Sequence, residues 1–322
     1  MINILFTCAG RRVELVQQFI NARNELNIKG KIVCADMDIL SPALYFADEY
    51  YILPSLKDSA YIESLGNLCI KEKINLIIPT IDTELEFLCS NFAWLKSLGT
   101  DVLISEKETV AIAKDKWQTY LFFNSIGLKT PISFKKTDKD FNMTFPCFIK
   151  PLQGSSSINA FKVSNEQELL LFENYIGSCI IQEFIEGQEY TVDVFCDFEG
   201  NPVYITPRIR IATRSGEVVK TKINHDMELI EDVLKIINKL KPKGPLTVQA
   251  IKSKKDGKFY FIEINARFGG GAPLSMRAGA NSAKALYKIL CGEKLSYGPF
   301  AAEEGAVFLR FDQSIRVDNY GK

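Results

Sequence analysis

The sequence predicts a mixed α/β and α+β protein, in which a parallel, doubly wound N-terminal domain precedes two α+β units. Short apolar runs alternate with helical patterns through the first hundred residues, the pattern of βα units feeding a parallel sheet. Past Ser105 the texture changes to short strands, polar loops and isolated helices. A length of 322 residues also fits two or three packed units at about 150 residues each.

In the first unit, Ile2 to Cys8, Lys31 to Asp36, Leu76 to Pro79 and Val102 to Ser105 read as strands. Val13 to Leu26, Ser59 to Lys71 and Glu84 to Leu98 read as helices. Ligands of such sheets sit beyond the carboxyl ends of the strands. Those ends carry Gly10-Arg11-Arg12, Asp36-Met37-Asp38 and Thr80-Ile81-Asp82-Thr83-Glu84. The first turn has a single glycine, so the Gly-x-Gly-x-x-Gly loop that admits a dinucleotide pyrophosphate is missing. The second unit opens with a helical stretch from Glu106 to Ile126, broken by Gly127 and Pro131. Strands follow at Phe145 to Lys150 and Ala160 to Val163, then a helix at Gln167 to Tyr175. The third has strands at Cys179 to Gln182, Tyr190 to Phe195, Val203 to Thr206, Thr247 to Lys252 and Phe259 to Ile264. The helix Met227 to Lys239 interrupts them, and an antiparallel sheet with one covering helix is expected. The boundaries expected are 1–105, 106–178 and 179–322.

Composition removes several functional classes. Lysine plus arginine equals aspartate plus glutamate, at 39 each, which argues against nucleic-acid binding and a polybasic membrane surface. No run of 18 apolar residues appears, so no membrane span is expected. Met1 to Phe6 lacks a basic n-region and reads as a buried strand, not a signal peptide. Eight scattered cysteines without a Cys-x-x-Cys pair read as reduced core residues of a cytoplasmic protein. His225 is the one histidine, so a His-rich metal site or a Ser-His-Asp triad confined to this chain is hard to build.

Three stretches carry chemistry. Side chains alternate along a strand, so Glu263, Asn265 and Arg267 share a face if the strand continues that far. A hairpin turning near Lys255-Asp256-Gly257 brings Gln249 beside Glu263. One carboxylate and two amide oxygens suit magnesium, which takes oxygen ligands and leaves further positions to water and phosphate. Arg267 can contact a phosphoryl group bidentately. In the second stretch, Lys150 closes an apolar strand, and the loop Gln153-Gly154-Ser155-Ser156-Ser157 offers amides and hydroxyls to phosphate oxygens. It is not a Walker loop, because Gly-Lys-Ser/Thr is absent. The third stretch, Gln182-Glu183-Phe184-Ile185-Glu186-Gly187-Gln188-Glu189, offers a strand edge to an adenine and a carboxylate, Glu189, to a ribose. Arg208, Arg210 and Arg214 form a basic stripe that points to an anionic substrate, with Arg11 and Arg12 as secondary candidates.

In this order and spacing the three stretches resemble the ATP-grasp superfamily over roughly residues 106 to 312. The Gln…Glu-x-Asn-x-Arg set is the most specific part. Within the superfamily the likeness is to one synthetase unit of the large subunit of carbamoyl phosphate synthetase, and the N-terminal domain looks like the Rossmann-like preATP-grasp domain. The resemblance implies that Lys116 and Lys150 contact the nucleotide and that Gly154 and Ser155 to Ser157 form a lid over its phosphates. Gln182, Glu183, Phe184 and Ile185 would line the adenine, and Glu189 would hold the ribose. Gln249, Glu263 and Asn265 would hold two magnesium ions, with manganese as a substitute. Arg267 would steady the γ-phosphate and the acyl phosphate made from it, and Arg208 and Arg210 would face the acceptor. Lysines at 116 and 150 look more like the superfamily's amino-acid and peptide ligases than like carbamoyl phosphate synthetase, which has arginines there. The expected reaction is ATP-dependent ligation of a small-molecule carboxylate to an amine, and the resemblance allows a homodimer. The alternatives are a carbamoyl-phosphate-type kinase unit and a nucleotide-binding subunit without catalysis.

Overall fold

The computed structural model describes residues 1–136, 144–154 and 158–317. The N-terminal unit contains β1 (Ile4–Thr7), α1 (Val13–Glu25), β2 (Ile32–Asp36), a 3₁₀ turn (Pro42–Phe46), β3 (Glu49–Ile52), α2 (Tyr61–Glu72), β4 (Leu76–Pro79), α3 (Asp82–Ser97) and β5 (Asp101–Val102). All neighbouring strands pair in parallel, in the order β3-β2-β1-β4-β5. Buried on both faces, β1 reads as the continuous apolar run Ile4-Leu5-Phe6. The edge strand β3, with three of its four residues exposed, lacks such a run and is not visible in the sequence pattern.

The helix expected over Glu106 to Ile126 is two: α4 (Lys107–Lys114) and α5 (Lys116–Ser125). Asp115 between them is extended, and its carboxylate caps α5 by accepting from the N–H groups of Trp117 and Gln118. A capping aspartate offers the backbone an alternative to continuing the helix, and it leaves Lys116 in the first turn. A small antiparallel sheet follows: β6 (Ser133–Lys135), β7 (Cys147–Pro151), β8 (Phe161–Val163), then α6 (Glu166–Ile176) and β9 (Cys179–Glu183), in the order β6-β9-β7-β8. Cys179 to Gln182, expected to open the C-terminal unit, pairs instead with β7 and β6. The chain changes sheet at Phe184-Ile185-Glu186.

The large antiparallel sheet comprises β10 (Gly187–Cys196), β11 (Pro202–Arg214), β12 (Glu217–Ile223), β13 (Gly244–Ser253), β14 (Phe259–Asn265) and β15 (Val307–Leu309), in the order β14-β13-β10-β11-β12-β15. Helix α7 (Met227–Leu240) lies between β12 and β13 in sequence, and α8 (Ala272–Arg277) and α9 (Ser282–Leu290) follow β14. Along α7, Leu229, Ile230, Val233, Ile236, Ile237 and Leu240 are buried, an apolar stripe at helical spacing. They join Val192, Val194, Ile205, Val248, Ala250 and Ile264 in one core. Full burial of each such side chain contributes about 1.5–3 kcal/mol.

With one face of the large sheet covered by α7, the other is free to carry polar groups. The N-terminal domain is fixed relative to that face by a second core. Phe19 of α1 packs edge-on against Phe6 and Phe268 at 5.1 and 5.9 Å between centroids, and Tyr287 of α9 lies 6.2 Å away. No helix among the described residues is long and apolar enough to cross a membrane. All eight cysteines are free, and five of them are buried.

Candidate active site

The polar face of the large sheet is built by register. Thr191 on β10 pairs with Arg208 on β11 and with Gln249 on β13, and Gln249 pairs with Glu263 on β14. One step along, Asp193 pairs with Thr247, which pairs with Asn265. Glu263, Asn265, Arg267, Gln249, Arg208 and Arg210 all line a cleft that encloses about 110 Å³, floored by the run Gly269-Gly270-Gly271. Arg214 lies outside it, in an exposed pair with Asp312 at 2.8 Å. The part of the basic stripe that lines the cleft therefore ends at Arg210.

The residues expected to hold metal are engaged by one another and by the cleft arginines. Asn265 Nδ2 donates to Glu263 Oε1 at 3.2 Å, and Asn265 Oδ1 accepts from Arg267 Nη2 at 3.2 Å. Gln249 Oε1 accepts from Arg210 Nη1 at 3.3 Å. Among the described residues no three Asp, Glu, His or Cys side chains gather as a metal cluster. A single carboxylate with two amide oxygens still fits magnesium, because these hard donors leave positions for phosphate and water. Those positions would be completed by a nucleotide.

Arg267 is anchored at several points. Its Nη1 donates to Phe268 O at 3.1 Å and its Nη2 to Asp82 Oδ2 at 2.5 Å. Its buried Nε has no hydrogen-bond partner among the described residues. Arg208 is the most deeply buried of the cleft arginines, 1% exposed. Its Nε and Nη2 donate to Asp193 at 2.6 and 3.2 Å, and Ser275 Oγ donates to the same carboxylate at 2.5 Å. That geometry gives Arg208 a structural partner as well as a place on the cleft wall. Arg210 lies 3.3 Å from Glu189 Oε2 and donates to Gly216 O at 2.9 Å. Glu189 is thus engaged by an arginine here, with half of its side chain exposed.

On the nucleotide side, Lys150 at the end of β7 crosses to the large sheet. The β13–β14 register slips between Gln249 and Ala250, opposite Glu263 and Phe261. Such a bulge leaves one residue outside the ladder, here Ile262, whose carbonyl accepts from Lys150 Nζ at 3.4 Å. Burial lowers Lys150 to about 8; Glu263 opposes that shift and Lys116 adds to it. Lys116 Nζ donates to Gly154 O at 2.7 Å, so the two lysines flank the start of the small polar loop. Ser155, Ser156 and Ser157 lie outside the described residues. Gln182 is buried and donates to Ser133 Oγ at 2.8 Å, and the Glu183 N–H donates to Ile132 O at 2.8 Å. Both of those donors are engaged in the small sheet. Phe184 stacks under Lys162 Nζ at 4.3 Å and, with half-buried Ile185, sits where the chain passes between sheets.

Sequence reasoning missed Glu217 and the three-glycine floor. The glycine run itself was the available signal. A side chain at Gly271 would meet the Arg208 guanidinium at 2.7 Å, and one at Gly269 would meet Thr247 Oγ1 at 2.9 Å. Arg12, a secondary candidate, enters the cleft from the N-terminal domain.

Comparison with known proteins agrees with this geometry. Residues 113–271 match the ATP-grasp domain family, and residues 4–103 match the PylC-like N-terminal domain. The chain therefore carries an ATP-grasp domain behind a PylC-like N-terminal domain. It is 30% identical over 185 residues to a D-alanine–D-alanine ligase of Buchnera aphidicola subsp. Schizaphis graminum, covering 48% of this chain and 59% of the relative. It is 25% identical over 261 residues to the 3-methyl-D-ornithine–L-lysine ligase of Methanosarcina acetivorans, covering 80% of this chain and 66% of the relative. The chain thus spans less than two thirds of the length of these relatives. The biotin carboxylase domain of the Hydrogenobacter thermophilus 2-oxoglutarate carboxylase, solved with MgADP and bicarbonate, superposes with a TM-score of 0.75 at 20% identity. That match covers 95% of this chain and 73% of that one. None of these three is a carbamoyl phosphate synthetase, so the likeness expected from the sequence holds at the level of the ATP-grasp domain.

Proposed function

We propose that this protein is an ATP-dependent carboxylate–amine ligase that works through an acyl phosphate. The observation that carries the reading is the cleft face on which Gln249, Glu263, Asn265 and Arg267 converge, with Arg12 of the N-terminal domain lining the same cleft and Lys150 bonded to the Ile262 carbonyl next to Glu263. The named relatives support it: both are ligases joining two amino acids.

Lys150 and Lys116 bind and orient the phosphates of ATP. Arg267, held by Asp82 and Phe268 O, stands where charge builds on the transferred γ-phosphoryl group. A carboxylate oxygen of the first substrate attacks the γ-phosphorus, and the bond to the bridging oxygen breaks as ADP leaves. The amine of the second substrate then attacks the acyl carbon. The C–N bond forms, the C–O bond to phosphate breaks, and phosphate departs with that electron pair. The protein does this by positioning and charge neutralisation. Gln249, Glu263 and Asn265 would hold magnesium, two ions on the ligand set proposed, and the metal's chemistry there is to withdraw charge from phosphoryl oxygens.

The test is incubation with Mg-ATP and a panel of carboxylates and amines, amino acids included, with ADP release and product mass as readouts. A new amide with stoichiometric ADP and phosphate is expected. Tight ATP binding without turnover under the whole panel would instead identify a non-catalytic nucleotide-binding subunit.

A further inference from the structure

The cleft also holds a cationic and an anionic side chain that are not among the expected metal ligands, Arg12 and Glu217. Three of its four arginines have carboxylate partners: Arg208 with Asp193, Arg210 with Glu189 and Arg267 with Asp82. Arg12 has none. Its one side-chain hydrogen bond is Nη2 to the backbone carbonyl of Thr80 at 3.0 Å, and among the described residues it forms no ion pair. The backbone that presents it is fixed. Gly10, at φ +47°, donates its N–H to Asp36 Oδ2 at 2.8 Å and accepts from Ala43 N at 3.0 Å, while the Arg12 N–H donates to Ala9 O at 2.9 Å.

Glu217 faces the same stretch of floor. Its Oε2 is taken by Arg310 Nη1 at 3.2 Å. A side chain built on Gly270 would meet Arg12 Nη1 at 3.3 Å and Glu217 Oε1 at 3.5 Å. One cationic and one anionic head group thus flank Gly270, close together yet not paired with each other. A half-buried guanidinium with no carboxylate in direct contact is left with hydrogen-bonding capacity that a ligand can complete. Burial and the neighbouring Arg267 lower Arg12 to about 10, against the opposing pull of Glu217 and Asp82. A ligand that meets both groups carries a carboxylate and an amine a short distance apart.

We propose that Arg12 and Glu217 recognise the amine substrate as an amino acid, Arg12 taking its carboxylate and Glu217 its amino group. Arg12 comes from the N-terminal domain, whereas Glu263 and Asn265 stand on β14, and the carboxylate it holds is assigned as the spectator group and not the one that is phosphorylated. Planar, bidentate capture of a carboxylate is what arginine does and lysine does not. The inference rests on the ligase reading, which supplies the need for an amine substrate.

The experiment uses the full chain with Mg-ADP and the twenty common L-amino acids, D-alanine, D-ornithine and D-lysine, each beside its amine lacking the carboxylate. Binding is read by calorimetry and turnover by ADP release with Mg-ATP. At least one amino acid is expected to bind while its decarboxylated amine binds about tenfold or more weakly. Arg12→Gln and Arg12→Lys are expected to weaken that amino acid about tenfold or more, with Mg-ADP affinity within about twofold of wild type and the melting temperature kept. Glu217→Gln is expected to weaken the amino acid too. Equal binding of the decarboxylated amine, unchanged binding to the Arg12 variants, or no binding by any amino acid in the panel would overturn the proposal. Turnover with an amine lacking a carboxylate would overturn it alone and leave the ligase reading standing. Amino-acid binding through Arg12 without turnover under any conditions would do the reverse.

Discussion

Arg267 of the C-terminal sheet and Asp82 of the N-terminal domain are joined by a hydrogen-bonded ion pair of 2.5 Å across 185 residues of chain. The arginine assigned to the phosphoryl group is therefore oriented by the other domain. Hydrogen bonds to charged groups contribute about 1.5–3 kcal/mol, and the partial exposure of Asp82 puts this one near the lower end. Asp82→Asn keeps the shape and removes the charge. Its kcat should fall about tenfold or more while the KM for ATP stays within about twofold, since the interaction matters once charge has built up on the phosphoryl group. Steady-state kinetics decides it, and a wild-type kcat would show that Arg267 is positioned without its partner.

Glu263 is the one carboxylate among the metal-holding residues, and its present partner is the Asn265 amide. Glu263→Gln keeps that hydrogen-bonding shape and removes the charge that favours a dication. Phosphate release should fall about a hundredfold or more, in line with loss of a single stabilising group at a charged transition state. EDTA should abolish turnover, and magnesium or manganese should restore it. Activity that survives chelation would remove the metal from the site.

Much of this was legible because the periodicities differ. The apolar runs Ile4–Phe6 and Leu76–Ile78 announce buried parallel strands, and the alternation Glu263, Asn265, Arg267 announces a half-buried one. The Gln249–Glu263 pairing follows from a short hairpin, which is local in sequence. What stayed hidden was non-local. Glu84, just past a strand end where ligands are expected, is fully buried and accepts from Thr7 Oγ1 and Tyr61 OH at 2.8 and 2.7 Å, whereas Asp82, two residues earlier, reaches Arg267. Nothing in the pattern separates the two carboxylates, because the distinction depends on a helix start packed against another domain. The break at Asp115 was missed because the residues on either side favour helix, and only the capping hydrogen bonds reveal it.

Lys150 makes nucleotide binding dependent on pH. Burial holds it near 8 in the free protein, below its ordinary 10.5. Between these values the unfolded chain is protonated and the folded chain is not, so this group's contribution to stability rises with pH across that window and is flat below it. Binding runs the other way, since the ammonium form is the one that meets phosphate. Mg-ATP should take up close to one proton at about pH 9 and little at about pH 7. Calorimetry in buffers of different ionisation enthalpy measures this directly. Lys150→Met should abolish the uptake, and persistence of the uptake in that variant would assign it to another group.

Gly271 tests whether the cleft floor must be bare. Its backbone dihedral φ is −97°, which any residue adopts, so a substitution there acts through space alone. An added methyl would lie 2.7 Å from Arg208 Nη2, 2.9 Å from Nη1 and 2.9 Å from Val218 Cγ1. The guanidinium cannot retreat easily, because Asp193 holds it at two atoms and the side chain is buried. Gly271→Ala should therefore destabilise the fold by about 1–3 kcal/mol, the usual range for overpacking. It should also lower turnover by shifting Arg208 and the neighbouring floor. Gly257→Ala, at an exposed turn with open space around it, serves as the control for lost glycine flexibility. Its strain arises from φ +70°, so it should lose stability without a comparable change in KM for either substrate. Denaturant melts with kinetics on both variants separate the two effects. Equal kinetic defects in both would show that the floor's shape does not govern the site.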